Sequence, residues 1–220
     1  MNNKLRGLSL ACFLLPISTV LISYFLSIKL NLVSYCIPNI EGCTSISRIG
    51  RYEPVKYFFK PMMYLYSVLL IFYWILFFEK LKTLNIKNKY VYWISLIGVF
   101  FLILYITFLG ESKVYSFFKR IGIYIYILFI VLSQFFSSKL LIKNKKKIRD
   151  LFFIKYVKMK YYISFSLLVS GIVLLPILIT KIEKFPEIKN IISWNYFFLI
   201  QLYFFVSFLS LKKLIYPTSS

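Results

Sequence analysis

The sequence predicts an all-α, polytopic membrane protein that folds as a bundle of six transmembrane helices. Two observations predict this class. Hydrophobic residues make up 60% of the 220-residue chain, and the mean hydropathy is +0.77, whereas soluble domains are roughly half apolar. The apolar residues also occur in long continuous runs, not in short alternating segments, so spanning helices are favoured over barrel strands.

Six of these runs are long enough to cross the ~30 Å hydrocarbon core of a bilayer as helices. They cover residues 8–28, 61–78, 91–109, 121–138, 161–180 and 195–211. Neither an internal repeat nor a separate soluble domain is visible, so we expect residues 1–220 to form one integral membrane domain. The first run follows Lys4 and Arg6, but it is longer than the apolar core of an export signal, and we expect it to be retained.

The segments that connect the runs differ in charge, and this difference predicts the orientation. Most of the 28 Lys and Arg residues lie in the amino-terminal segment, after the second and fourth runs, and in the carboxyl-terminal tail. The most basic segment carries Lys139, Lys143, Lys145, Lys146, Lys147, Arg149, Lys155, Lys158 and Lys160. The positive-inside rule therefore predicts that both termini are cytoplasmic, and we expect the protein in the plasma membrane.

The longest hydrophilic connection on the predicted outer side covers residues 29–60. Long loops without regular structure are usually functional or disordered, but Ile and Tyr residues recur through this one, so we expect it to be ordered and to cover the bundle. Cys36 and Cys43 lie within it. In an oxidising compartment they are candidates for a disulfide that stiffens the loop; two reduced surface thiols are the alternative.

Residues 43–51 of this loop read CTSISRIGR and contain two arginines. Arg48 and Arg51 are candidates for binding an anion such as a lipid phosphate or an anionic glycan, because guanidinium groups suit bidentate contacts with such ligands. Further cations on the same predicted side could join them: Lys56, Lys60, Lys119 and Arg120. The alternative is an ion-pair network that only holds the loop in place. The acids available for that network are Glu41, Glu53 and Glu111.

The SISRIG core, with Ser45, Ser47 and Gly50, follows the first of the six runs and precedes an aromatic entry into the second. In this it resembles the first-loop signature of the DRAM/Sfk/Frag superfamily of six-helix membrane proteins. That group includes the CWH-like N-terminal domain of fungal cell-wall factors and proteins of GPI-lipid remodelling. The resemblance implies a lipid-related role. The chain departs from the pattern at Thr44, where a proline is expected, and in having no histidine.

Composition argues against catalysis. With no histidine, no metal-ligand spacing and no acid inside an apolar run, the sequence offers no evident general base, metal site or paired carboxylates. We therefore expect a protein that is not an enzyme and has no catalytic residues, metal or cofactor. The net charge of +21 is attributed to topology and to a Lys-rich composition, so nucleic acid is not expected as a partner.

The expected function is that of a non-catalytic protein that interacts with membrane lipids or organises the membrane. Two alternatives stay open. Gln134 and Gln201, with several serines in the apolar runs, could line the path of a small-solute or lipid transporter, although interhelical hydrogen bonding is the commoner use of such residues. The third possibility is an accessory subunit of an envelope-polymer machine, with other membrane proteins as partners.

Overall fold

The computed structural model describes residues 2–86, 89–111, 115–180 and 186–212, without the side chains of residues 175–180. The helices are α1 (Asn2–Lys29), α2 (Pro38–Glu41), α3 (Ile46–Ile49), α4 (Val55–Thr83), α5 (Lys89–Thr107), α6 (Ser116–Lys143), α7 (Lys145–Ile148), α8 (Ile154–Thr180) and α9 (Pro186–Ser210). Six of them, α1, α4, α5, α6, α8 and α9, are long and apolar enough to cross a membrane. The predicted six-helix, all-α fold is confirmed.

Most of the long helices extend beyond the apolar runs that predict them. Helix α4 begins at Val55 instead of residue 61, α8 at Ile154 instead of 161, and α9 at Pro186 instead of 195. The apolar runs mark hydrocarbon thickness, but a helix continues as long as its backbone hydrogen bonds do. Lys80 and Lys82 in the last turn of α4 illustrate this, because cations interact favourably with a helix carboxyl terminus.

The six long helices form a closed ring. Helix α1 packs against α4, α4 against α5, α5 against α6, α6 against α8, α8 against α9, and α9 against α1. Each long helix thus contacts its neighbours in the sequence, and the α1–α9 contact closes the ring. Each connection brings the next long helix back along its neighbour in the opposite direction, so the ring has two ends.

We call one end the terminal face, because it holds the amino end of α1 and the carboxyl end of α9. There the Asn2 side-chain amide donates to the Lys212 carbonyl, and Phe152 pairs with Leu211 in an isolated antiparallel bridge. The opposite end, which carries residues 30–54, the α5–α6 connection and the amino end of α9, is called the loop face.

Aromatic side chains of α4 and α9 fill the middle of the ring. Tyr73, Trp74, Phe77, Tyr203 and Phe204 are buried. Tyr73 meets Phe204 edge to face with ring centroids 5.1 Å apart, and it meets Trp74 in the same way at 5.1 Å. Such pairs stabilise packing beyond the area that they bury. The Tyr73–Phe204 pair joins α4 to α9 across the interior of the ring.

Candidate functional site

Residues 30–54, called the loop segment, lie across the loop face and are fastened to α1 and α9 by hydrogen bonds. Ser27 of α1 donates its hydroxyl to the Ile49 carbonyl at 3.1 Å. The indole N–H of Trp194 in α9 donates to the Thr44 carbonyl at 2.9 Å. Asn190 and Asn195 of α9 donate to further loop carbonyls at 2.7 and 3.0 Å. The expected ordered loop is therefore present.

The structure joins Cys36 and Cys43 in a disulfide that closes a ring around α2. Tyr24 of α1 fastens one side of it, since its hydroxyl donates to the Cys36 carbonyl and accepts from the Cys36 N–H. On the other side Gly42 has the left-handed conformation, with φ +68°. A Cβ at Gly42 would lie 2.2 Å from the Glu187 carbonyl oxygen, so only glycine allows this approach to α9.

Ser45, Ser47 and Gly50 of the SISRIG motif each have a defined place in the loop segment. Ser45 is the N-cap of α3, and its hydroxyl accepts from the Arg48 N–H at 3.2 Å. The Ser47 hydroxyl lies 2.8 Å from the hydroxyl of buried Tyr105 in α5. Gly50 faces Phe59, whose ring atoms would be 2.6 Å from an added Cβ. These contacts give the motif a packing role at the junction of the loop segment with α4 and α5.

The Ser47–Tyr105 hydrogen bond provides a test of this role. Replacing Ser47 by alanine leaves the buried Tyr105 hydroxyl without its partner, and we expect a loss of about 1–2 kcal/mol in the free energy of unfolding. Tyr105→Phe removes the other member, and the double variant should lose little more than Ser47→Ala alone. Chemical unfolding of the four proteins in detergent measures this double-mutant cycle; strictly additive losses would contradict the contact.

Three of the predicted anion-binding residues come together at the loop face. Lys119, which is partly buried at the start of α6, is acted on by the charges of Arg51, Arg120 and Lys189. Every charge that acts on Lys119 from the part of the chain that the structure describes is positive. We call Arg51, Lys119, Arg120 and Lys189 the cationic cluster. Within the described residues, no contact joins the exposed side chain of Arg48 to the cationic cluster. Sequence reasoning did not select Lys189, which lies in no motif and enters the cluster only through the placement of α9.

The acids proposed as partners for the loop arginines contact other groups. Glu111 pairs with Lys56 at 3.1 Å and with Lys60 at 2.8 Å, and these two ammonium groups lower the pKa of its carboxyl. The carboxylate of Glu41 accepts from the Ile37 N–H, and that of Glu53 accepts from the Tyr57 hydroxyl. Among the described residues, neither Arg48 nor Arg51 forms a salt bridge. The ion-pair alternative is therefore present in part, between Glu111 and the two lysines, and among the described residues it does not include Arg48 or Arg51.

Exposed aromatic rings lie beside Lys119 at the start of α6. Tyr115, Phe117 and Phe118 are each at least 43% exposed at the start of α6. Phe108 stacks on Tyr115 and on Phe118, with ring centroids 5.2 and 5.3 Å apart. Aromatic side chains are enriched at the level of lipid headgroups. The arrangement therefore combines cations with the side chains that are typical of the membrane–water interface.

The polar residues of the apolar runs are mostly bonded to one another inside the ring. Gln201 of α9 exchanges hydrogen bonds with Tyr66 of α4 at 3.2 Å, and the side-chain amide of Gln134 in α6 donates to the Ile200 carbonyl at 3.1 Å. The Tyr203 hydroxyl lies 2.7 Å from that of Ser137. This pattern favours interhelical hydrogen bonding over a polar path.

The predicted position of Lys160 is wrong. The sequence places Lys160 in the basic connection after the fourth run, yet it lies inside α8 and is 1% exposed. Its helical spacing to Val157, Ser164 and Leu167, which are also buried, carried a signal, because residues three, four and seven positions apart share a helix face. Hydropathy alone could not show it, since lysine ends an apolar run.

Neither metal-ligating groups nor related proteins assign a function to the chain. In residues 2–86, 89–111, 115–180 and 186–212, no three His, Cys, Asp or Glu side chains are placed to share a metal ion. No family model, curated protein or solved structure matches the chain. The fold and composition define the class, a multi-pass integral membrane protein with an ordered loop across one face.

Proposed function

We propose that this multi-pass membrane protein is non-catalytic and binds the phosphate of an anionic lipid headgroup at the cationic cluster. The observation that carries the proposal is that the charges acting on Lys119 from the described residues, those of Arg51, Arg120 and Lys189, are all positive. Like charges held close together repel one another unless an anion lies between them. A phosphate with its several acceptor oxygens fits this need.

The choice of a lipid over a soluble anion rests on the surroundings of the cluster. Phe117 and Phe118 are exposed beside it, at the depth where amphipathic and aromatic side chains meet headgroups. A lipid can place its phosphate among the cations and its acyl chains along the apolar outer surface of α6. Free inorganic phosphate would use only the first of these contacts.

The proposal includes an orientation, with the loop face outside the cell membrane and both termini in the cytoplasm. The excess of Lys and Arg in the connections of the terminal face supports it through the positive-inside rule. The Cys36–Cys43 disulfide supports it independently, because disulfides persist in oxidising compartments. A relation to the DRAM/Sfk/Frag group is part of the same proposal. The six helices and the position of SISRIG after the first of them support that relation.

The test removes the cations and measures retained lipid. The variant Arg51→Gln/Lys119→Gln/Arg120→Gln is expected to bind phosphatidylglycerol at least about tenfold more weakly than the unmodified protein, because hydrogen bonds between charged groups contribute about 1.5–3 kcal/mol each. Native mass spectrometry of protein released from detergent, titrated with phosphatidylglycerol and with phosphatidylcholine, gives the affinities. Added inorganic phosphate distinguishes a headgroup from a free anion.

Lys29→Gln is the matched control, since Lys29 is an exposed cation at the same end of the bundle but is not among the charges that act on Lys119. It should bind lipid as the unmodified protein does. Equal phosphatidylglycerol binding by the folded triple variant would overturn the proposal. If added phosphate competes and the protein binds phosphatidylglycerol and phosphatidylcholine with equal affinity, the ligand is a soluble anion and not a lipid.

A further inference from the structure

Residues 36–43, which the disulfide closes and which we call the disulfide loop, present large apolar side chains that the bundle does not cover. Ile37 is 53% exposed and Ile40 is 71% exposed, and Tyr35, directly before the loop, is 79% exposed. The residues that alternate with them are buried: Cys36 and Pro38. One side of the disulfide loop thus holds it to the protein, and the other side points outward. Exposed apolar patches rimmed by polar groups mark contacts with another protein or with a membrane.

Hydrogen bonds to α1 show how deep the disulfide loop lies. The Tyr24 hydroxyl donates to the Cys36 carbonyl at 2.5 Å and accepts from the Cys36 N–H at 3.1 Å. Tyr24 belongs to the apolar run 8–28, the part of α1 that is long enough to lie in hydrocarbon. It lies four residues before the end of that run, about 6 Å along the helix. Its neighbour Phe25 is 60% exposed and faces the lipid at the same level.

Helix α9 places the disulfide loop at a similar depth. The side-chain amide of Asn195 donates to the Asn39 carbonyl at 3.0 Å, and Asn195 is the first residue of the apolar run 195–211. Asn195 is itself exposed, so this contact lies on the outer surface of the bundle and not inside the ring of helices. The disulfide loop therefore rests against the side of the bundle, where the hydrocarbon of the bilayer meets the headgroups.

The polar groups of the disulfide loop are compatible with this depth. Its one charged residue is Glu41, whose carboxylate accepts from the Ile37 N–H at 3.0 Å, and such charge-assisted hydrogen bonds are among the stronger ones. Tyr35 has an apolar ring and a polar hydroxyl, and tyrosine is enriched at the membrane–water interface for that reason. Isoleucine side chains gain free energy when they leave water.

We propose that the disulfide loop is a membrane-contact element, whose side chains Tyr35, Ile37 and Ile40 lie among the headgroups and the first acyl carbons of the leaflet at the loop face. A lipid surface fits better than a protein partner, because the contacts with Tyr24 and Asn195 hold these side chains at a depth where lipid surrounds the bundle. The loop segment is then fastened on one side to the helices and on the other to the bilayer. This contact does not depend on phosphate binding at the cationic cluster.

Tryptophan fluorescence in lipid nanodiscs tests the depth. The chain has three tryptophans; Trp74 and Trp194 are buried, and Trp93 is exposed, so Trp93→Phe is the background into which Ile40→Trp is introduced. The nanodiscs contain phosphatidylcholine brominated on the acyl carbons near the glycerol, and iodide is added to the water. After subtraction of the background protein, the emission from position 40 should be lost in brominated lipid and should be retained in iodide.

Tyr57→Trp in the same background is the matched control. Tyr57 is 67% exposed at the loop face, and its hydroxyl donates to the carboxylate of Glu53, on the side away from the apolar run. Emission from position 57 should be lost in iodide and retained in brominated lipid. Iodide quenching at position 40 as strong as that at position 57 overturns the proposal. Protection of position 40 from both quenchers, with dimers in native mass spectrometry, overturns it in favour of a second copy of the chain.

A second measurement covers an Ile40→Trp variant that does not fold. Hydroxyl radicals generated in water modify tyrosine rings that water reaches, and mass spectrometry locates the modified residues. In the unmodified protein in nanodiscs, Tyr35 should be modified much less than Tyr57, although the protein alone leaves Tyr35 the more exposed of the two. Modification of Tyr35 equal to that of Tyr57 would show that the disulfide loop faces water.

Discussion

Replacing Gly42 by alanine is expected to lower the free energy of unfolding by about 2–4 kcal/mol. Gly42 ends α2 with φ +68°, a conformation that costs any residue with a Cβ. The new Cβ would also lie 2.2 Å from the Glu187 carbonyl oxygen and 2.9 Å from the Glu187 Cα. Both are backbone atoms, so no rotamer change can relieve the contact, and the loop segment must move away from α9.

Gly7→Ala is the control for this substitution. Gly7 lies in α1, and an added Cβ there meets nothing within 4 Å. Alanine favours a helix interior over glycine, so stability should stay the same or rise. Thermal unfolding of both variants in one detergent, followed by the loss of monodisperse protein, makes the comparison. A Gly42→Ala protein as stable as Gly7→Ala would show that the loop segment does not rest on α9 as described.

Removing the disulfide should have the second large effect. In the variant Cys36→Ala/Cys43→Ala, the loop segment loses a short closed ring, and we expect a decrease of about 2–3 kcal/mol in the free energy of unfolding. The Gly42 and Asn39 carbonyls, which accept from Asn190 and Asn195, belong to that ring. The contact with α9 should therefore weaken together with the ring.

Reductant separates the disulfide from other effects of the substitutions. Dithiothreitol should destabilise the unmodified protein by about as much as the double substitution does, and it should leave the double variant unchanged. The remaining cysteine, Cys12, is buried in α1 and is not expected to respond. Unmodified protein that unfolds identically with and without reductant would contradict a stabilising role for the disulfide.

The six helices could be predicted from sequence because a single physical requirement, burial in hydrocarbon, shapes each of them. The ends could not, because outside the hydrocarbon a helix continues or stops according to local bonds. Helix α9 illustrates this limit. It begins at Pro186 and passes Asn190, Trp194 and Asn195, whose side chains bond to the loop segment; hydropathy reports nothing about such contacts.

The sequence predicts on which side of the membrane the candidate site residues lie, but not which residues each of them contacts. Charge placed Arg51, Lys119 and Arg120 on one side of the membrane, and the structure brings them together. The charge pattern does not indicate that Glu111 pairs with Lys56 and Lys60 and not with the loop arginines. Lys160 shows the opposite error, since a residue judged by its charge as part of a connection is buried by the packing of α4, α8 and α9 around it.

The closed ring has a consequence for how the protein is made. A ribosome delivers α1 and the loop segment long before α9, yet Trp194, Asn190 and Asn195 of α9 hold that segment down. During biosynthesis the segment must therefore stay undocked until the last helix enters the bilayer. In the orientation proposed above, Cys36 and Cys43 face an oxidising compartment throughout this interval, so the covalent ring can form before the bundle closes onto it.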